Sequence, residues 1–285
     1  MTQAEKAALL RQLHHGPSIL RLCNVWDAAS ARIVEQAGFP AVATSSAGVA
    51  FSLGYPDVEV IPATEMLAHV GRIARVVAVP VTADLEAGYE DIERTAAGLV
   101  EAGAVGLNLE DFQHGKLVDL AAQIEKIRAI RRVGERLGVP IVINARTDIY
   151  LAQRGDAATR FERTVERLLA YRHAGADCLF VPGVYDQETI AALVKTLQFP
   201  LNILATAGAP TVDRLQELGV ARVSLGSGPM RATMGLMRRM AEEFRDSGTY
   251  SRMLDGPVTY SEANQLMQTV APVARAHGLR IPKSS

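Results

Sequence analysis

Apolar residues along this chain form short continuous runs, separated by longer stretches in which they recur every three or four positions. The runs lie at about 19–25, 41–44, 79–83, 105–109, 141–145, 178–181, 201–205 and 222–225. Strands that are apolar throughout, rather than alternating, belong to parallel sheets covered on both faces. The stretches at about 27–37, 63–76, 90–102, 119–137, 158–174, 187–197, 211–218 and 229–245 read as amphipathic helices between them. The passage from helix to strand repeats as EQAGFPAVAT (35–44), EAGAVGLNLE (101–110), HAGADCLFVP (173–182) and ELGVARVSLG (217–226). Glycine there suits a left-handed helix C-cap. Variants with proline at the strand entrance (VAVPVTAD, LGVPIVINAR, LQFPLNILA) fit too, because the first N–H of a strand is not yet needed.

This pattern predicts an α/β chain folded as a (β/α)8 TIM barrel. An open doubly wound sheet fits less well, since no GxGxxG turn follows the first strand. A charged amphipathic helix precedes the barrel. A C-terminal extension, about 246–285, carries one more helical pattern around 260–277 and is expected to pack on the barrel or on a neighbouring subunit. No break in composition divides residues 1–285, so one barrel domain is expected.

Chemistry concentrates where the strands end, at the face on which barrel enzymes carry their active sites. Strand 3 runs into Asp84 and Glu86, then Gly88; strand 4 ends in Glu110-Asp111; strand 5 ends in Asn144, Arg146 and Asp148. Carboxylates at the tips of buried strands cost too much to be packing. Three on adjacent strands suit Mg2+, a hard cation that takes oxygen ligands and keeps several waters. Zinc is not expected, because thiolates and imidazoles do not converge there. Arg146 offers a planar fork for a carboxylate or phosphonate, and the small residues at 45–48 offer backbone N–H groups to the other end of an anion. Such a site suits a small dianionic acid, with a cation to stabilise the enolate formed when a neighbouring bond breaks. Asp27 reads as a helix N-cap and Asp148 as a partner for Arg146. His114, in the loop after Glu110, is a candidate mobile acid or base.

Net charge is −1 with no long run of one sign, which excludes nucleic acid and an anionic membrane as partners. Cys23 and Cys178 sit inside apolar runs and read as core thiols of a reducing compartment. The N-terminal segment is charged throughout, unlike a secretory signal, and no apolar run could span a bilayer. A cytoplasmic location is expected.

The segments TSSAGVAFSLGYPD (44–57), ADLEAGY (83–89), NLED (108–111) and NARTD (144–148), in this order and spacing, resemble the isocitrate lyase / phosphoenolpyruvate mutase superfamily. The resemblance runs from NVWDAASARIVEQAGFPAV to RVSLGSGPMR. It implies a helix-swapped barrel, assembled as a homodimer or homotetramer, with Mg2+ (or Mn2+) and a pyruvate-like enolate. It further implies that Ser45, with the backbone of Ser46 and Ala47, binds the carboxylate of a 2-oxo acid. Asp84 would be the principal metal-side ligand, and Asp57, Glu86 and Glu110 would hold the ion's water shell. Arg146 would bind substrate oxygens.

Two departures follow. The usual DxDxGYG is here Asp84-Leu-Glu86-Ala-Gly88-Tyr89-Glu90, with a longer second acid. The stretch FQHGKLVDLAAQIEKI lacks the lysine-cysteine-glycine-histidine loop of the lyases and the lysine-threonine-asparagine element of the mutases. The expected activity is therefore a lyase-type cleavage of a C–C bond in a small 2-oxo or 2-hydroxy di-acid. Decarboxylation demands least of the missing loop. Catalytic roles fall to Arg146, Glu110, His114 and Tyr89, with Lys116 a further acid–base candidate. Ser45, Ser46, Ala47, Asp84, Arg146 and Asn202 are expected to bind substrate. C–P chemistry on a phosphonate, or a barrel that only binds a 2-oxo acid, are the alternatives.

Overall fold

The strand that opens the barrel also closes it. Its first half, β1 (Leu20–Leu22), pairs with the last strand, and its second half, β2 (Asn24–Val25), pairs with the next one, so the ring passes through Cys23. The computed structural model describes residues 1–153 and 155–268. After α1 (Gln3–Leu13) and the split strand come α2 (Ala28–Gln36), β3 (Val42–Thr44), α3 (Ser46–Ser52), α4 (Ala63–Val76), β4 (Val81–Asp84), α5 (Ile92–Glu101) and β5 (Gly106–Glu110). A small hairpin, β6 (Phe112–Gln113) and β7 (Lys116–Leu117), interrupts the alternation. Then follow α6 (Leu120–Leu137), β8 (Val142–Arg146), α7 (Arg160–Ala174), β9 (Cys178–Phe180), α8 (Gln187–Leu197), β10 (Leu201–Leu204), α9 (Val212–Glu217), β11 (Arg222–Ser224), α10 (Gly228–Ser247) and α11 (Tyr260–Gln268). The sheet order β1-β11-β10-β9-β8-β5-β4-β3-β2 is parallel throughout, as a (β/α)8 barrel requires.

The helix expected before the barrel is α1. Thr2 and Glu5 form a capping box at its start. Its buried Ala7 and Leu10 meet Leu20, Leu22, Ala43, Val105 and Val142, so α1 plugs the N-terminal end of the barrel with apolar side chains. Close approach here demands a glycine at 106. A Cβ on Gly106 would lie 2.8 Å from Leu10 Cδ2 and 3.0 Å from the Val142 carbonyl oxygen. At the same end Asp177 accepts from the Ile143 N–H at 2.8 Å and binds Arg11 and Arg131.

The eighth helix of the barrel, α10, behaves differently from the others. It has no buried residue, and Met234, Met237 and Phe244 are 49%, 60% and 65% exposed. α11 lies against α2, where Leu266 is buried and its carbonyl accepts from Arg32 Nε at 3.0 Å. The rest of the helical pattern around 260–277 lies outside the described residues. Among the described residues no helix is long and apolar enough to cross a membrane.

Gly106→Ala should destabilise the fold by about 1–3 kcal/mol, since the clash includes a backbone oxygen that cannot step aside. A thermal melt of the variant checks this; an unchanged midpoint would mean that α1 is not wedged against β5.

Candidate active site

Parallel pairing brings the acids together. Asp84 on β4 is registered with Asn108 on β5, Asn108 with Asn144 on β8, and Glu110 with Arg146. The turn after β4 brings in Glu86, whose carbonyl oxygen accepts from the Glu110 N–H at 2.9 Å. That turn is strained. Glu86 and Tyr89 sit at φ 51° and 60°, a region non-glycine residues avoid, with Gly88 between them at 96°.

Asp84 is 9% exposed. Its Oδ2 accepts from Ser46 Oγ at 3.1 Å and from the Ser46 N–H at 3.4 Å; its own N–H donates to Thr44 Oγ1 at 2.9 Å. Among the described residues its Oδ1, like Glu86 Oε1, is buried without a partner. The segment 45–48, read from sequence as a loop of free N–H groups, is the first turn of α3. Ser45 is its N-cap and its Oγ accepts from the Gly48 N–H at 3.2 Å. The Ser46 N–H is thus aimed at Asp84, and Ala47 is buried beside it.

Arg146 is more heavily engaged than the sequence suggested. Its Nη1 meets Glu110 Oε2 at 2.8 Å, and its Nε and Nη2 grip Asp148 at 2.5 and 2.7 Å, with Phe180 under the guanidinium plane. Three of its five N–H donors face protein acids, so a planar anion would share the fork with Glu110 and Asp148. Asp148 is held in turn by Asp111, which accepts its N–H at 2.9 Å. Asp111 points away from the mouth, fully buried, and accepts from Arg167 Nε and the Tyr171 hydroxyl, each at 2.6 Å. Arg167 and Tyr171 were not singled out in the sequence. Their spacing on one face of α7 was visible, but nothing local pointed to Asp111.

The floor of the site is polar. Asn108 Oδ1 accepts from Asn144 Nδ2 at 2.8 Å and from Arg222 Nη2 at 3.1 Å. Asn24 Oδ1 accepts the Leu225 and Gly226 N–H groups, both at 2.9 Å. Asn202 lies fully buried in β10 beside Arg222, and its Oδ1 accepts from Ser224 Oγ at 3.3 Å. Arg222 itself was missed because it sits inside an apolar strand run. It is fully buried and forms no ion pair among the described residues. Below it His14, held down at about 3 by burial and by Arg222, is neutral. His14 is therefore a core residue. Asp27 caps α2 as expected, its Oδ1 accepting from the Ser30 N–H at 2.7 Å.

The remaining candidates divide. Tyr89 is buried, and its hydroxyl has no partner among the described residues. Burial and the neighbouring Glu86 and Glu59 raise its pKa, so it keeps its proton. His114 is exposed at the turn of the β6–β7 hairpin with φ 50°, beside a cavity of about 490 Å3 also lined by Glu59, Tyr89, Arg94 and Gln113. The hairpin occupies the place where a gating loop was not expected to fit.

Crowded carboxylates raise one another. Desolvation, then Asp57 and Asp84, push Glu86 up to about 8. Desolvation and Asp84 raise Asp57, opposed by a hydrogen bond from Ser46; the residue is exposed at the rim, but its carboxyl faces inward. Burial also raises Glu110, with the Arg146 guanidinium opposing. Arg146 stays protonated: burial disfavours its charge, but Glu110 and Asp148 hold it above its ordinary range. A divalent cation fits this donor set, since two buried carboxylate oxygens lack partners and every candidate donor is a hard oxygen. Among the described residues no three acids, histidines or cysteines converge closely enough to chelate an ion directly.

The Glu86 shift has a definite sign. Its folded pKa lies above its unfolded one, so the native state binds the extra proton between them. Without added metal, stability should fall as pH rises from about 5 to about 8, and Glu86→Gln should flatten that slope. Urea midpoints across this range check it; a wild-type slope that survives in the variant would refute the assignment.

Comparison with known proteins gives the same fold. Residues 10–245 match the family model for phosphoenolpyruvate phosphomutase. The chain is 31% identical over 277 residues to 2-methylisocitrate lyase of Aeropyrum pernix, covering 91% of this chain and 86% of that one. It is 30% identical over 271 residues to oxaloacetate decarboxylase of Rhodopseudomonas palustris (strain TIE-1), covering 90% of each. A solved oxaloacetate acetylhydrolase in complex with its product oxalate superposes with a TM-score of 0.82 at 26% identity, covering 93% of this chain and 94% of that one. With its parallel barrel and its acid-tipped strands, this chain belongs to the phosphoenolpyruvate mutase / isocitrate lyase superfamily.

Proposed function

We propose that this chain is a divalent-cation-dependent carbon–carbon lyase acting on a small 2-oxo or 2-hydroxy di-acid through a pyruvate-like enolate. The observation that carries the proposal is the unpartnered Asp84 Oδ1 at a mouth that also holds Glu86, Arg146 and the first turn of α3. Relatives named for 2-methylisocitrate and oxaloacetate support a di-acid substrate. Mg2+ or Mn2+, when bound, would supply positive charge to the developing enolate. Asp84 would hold the ion, with Asp57, Glu86 and Glu110 around its water shell.

The chain's own residues then have separable tasks. Ser45, Ser46 and Ala47 line the N-terminal turn of α3, where the helix dipole favours the substrate carboxylate. Arg146, held by Glu110 and Asp148, presents its remaining N–H donors to the substrate oxygens. Decarboxylation breaks one C–C bond, releases CO2 and leaves an enolate that needs one proton. The Tyr89 hydroxyl, neutral and buried near the acids, is the nearer donor; His114 faces outward on the hairpin. Asn202 contributes from beneath, in the barrel interior. Cleavage of the C–P bond of a phosphonate draws support from the name of the matching family model, but the short β6–β7 hairpin offers fewer groups to it.

Calorimetric titration with oxalate, a mimic of the pyruvate enolate, should show binding with Mg2+ and none without it. Asp84→Ala should abolish metal-dependent turnover of an oxaloacetate-like acid, and Tyr89→Phe should lower it by about 10²-fold. Full activity in Asp84→Ala would sink the metal assignment. Failure of the wild type to bind oxalate in either condition would favour a non-enzymatic role or a phosphonate substrate.

The exposed apolar face of α10 supports the helix exchange implied by the family resemblance, in a homodimer or homotetramer. Met237→Asp with Phe244→Asp should then yield a monomer in light scattering, whereas an unchanged mass would rule this face out as the contact.

A further inference from the structure

Three loops surround the mouth. One links α3 to α4 and carries Asp57; the second is the Asp84–Tyr89 turn; the third is the β6–β7 hairpin. A cavity of about 490 Å3 is lined by residues of all three, Glu59, Tyr89, Gln113 and His114 among them. One carboxylate spans the gap. Glu59 Oε1 accepts the Tyr89 N–H at 2.7 Å, and Oε2 accepts from Gln113 Nε2 at 2.6 Å. Glu59 lies two residues beyond Asp57, Tyr89 three beyond Glu86, and Gln113 three beyond Glu110. Glu59's own loop thus carries Asp57, the turn it binds carries Glu86, and the hairpin it binds starts just after Glu110, all acids placed around the cation in the proposed function.

The backbone at these points is strained. Glu59, Tyr89, Glu86 and His114 all have positive φ, at 55°, 60°, 51° and 50°. None is a glycine, and each such residue costs energy that its surroundings must offset. A hydrogen bond to the Tyr89 N–H is a fitting offset, because it pins the strained residue itself. The Glu59 N–H also meets the Glu86 carboxylate, a main-chain tie that joins the same two loops but not the hairpin. Two further ties of the turn run from Lys126 Nζ to the Ala87 carbonyl at 2.8 Å and from the Glu110 N–H to the Glu86 carbonyl. Neither of these two reaches the Asp57 loop or the hairpin tip.

We infer that Glu59 is a positioning residue, whose two hydrogen bonds fasten the Asp57 loop and the β6–β7 hairpin to the Glu86–Tyr89 turn and so set the spacing of the outer acids. It acts through geometry and not through its charge. This rests on the proposed function only for its effect on ligand binding; the fastening of the loops stands apart from it.

The two variants that separate these roles are Glu59→Ala and Glu59→Gln, each in the full chain. Glutamine can accept the Tyr89 N–H with its carbonyl oxygen. Its NH2 group then meets Gln113, whose own amide can turn over and accept. Hydrogen exchange by mass spectrometry should therefore speed up in peptides covering 86–90 and 112–118 in Glu59→Ala, by about tenfold or more, and stay near wild type in Glu59→Gln. The thermal midpoint should move little in either. In parallel, oxalate binding with Mg2+ should weaken about tenfold in the alanine variant and recover in the glutamine one. Unchanged exchange in Glu59→Ala would overturn the fastening. Equal damage in both variants would overturn the geometric role and make Glu59 part of the charge around the cation. If wild type binds no oxalate, the proposed function fails while the exchange measurement still decides this one.

Discussion

Mutual repulsion among carboxylates at one end of the barrel is the constraint on which the rest of the site depends. Asp84, Glu86 and Glu110 are brought close by strand register and by the turn after β4, and all are largely out of water. Such an arrangement persists only where positive charge or a proton offsets it. Arg146 supplies part of the offset by binding Glu110 and Asp148 together. The proton that Glu86 retains supplies another part. A divalent cation would take over that second role, and so the proposed cofactor and the high pKa of Glu86 have one cause.

Beneath the acids the barrel departs from the branched apolar filling common in this architecture. Asn108, Asn144 and Arg222 are linked there by hydrogen bonds, and Asn202 lies alongside. Arg222 is the less usual member, a fully buried guanidinium that donates to the Asn108 amide oxygen and faces a neutral His14. Burial pulls its proton affinity down, while Cys178 and Asp84 pull it up. Its charge lies below the acids, on the side opposite the open mouth. Positive charge thus reaches the acid cluster both from the rim, through Arg146, and from the floor.

Legibility in the sequence followed the range of the forces involved. Strands and helices were readable because covering both faces of a strand leaves a local apolar run, and because amphipathic periods are local too. Asp27 and Asp148 were readable as a cap and as an arginine partner, since each acts within three residues of itself. The helix α3 was not, because a seven-residue segment of small residues has no amphipathic period to reveal it. Arg222 was hidden for the converse reason: a charged residue inside a strand run gives no local sign that its partners lie across the barrel.

The alternation of apolar runs and amphipathic stretches by itself determined the barrel, and the acids at its strand ends indicated the face that carries chemistry and the candidate metal-side acids, because parallel strands must deliver their C-terminal ends to one side. Only the tertiary structure decided which acids face the mouth and which are bound elsewhere. Glu110 and Asp111 are adjacent in sequence, yet strand alternation sends one to Arg146 and the other to Arg167 and Tyr171. It also decided that Arg146 binds Glu110 as well as Asp148, that α10 leaves its apolar face uncovered and that Glu59 spans three loops. The bonds made by Glu59 and Asp111 join residues between 30 and 60 positions apart, where the closing of the barrel, and no local propensity, chooses the partner.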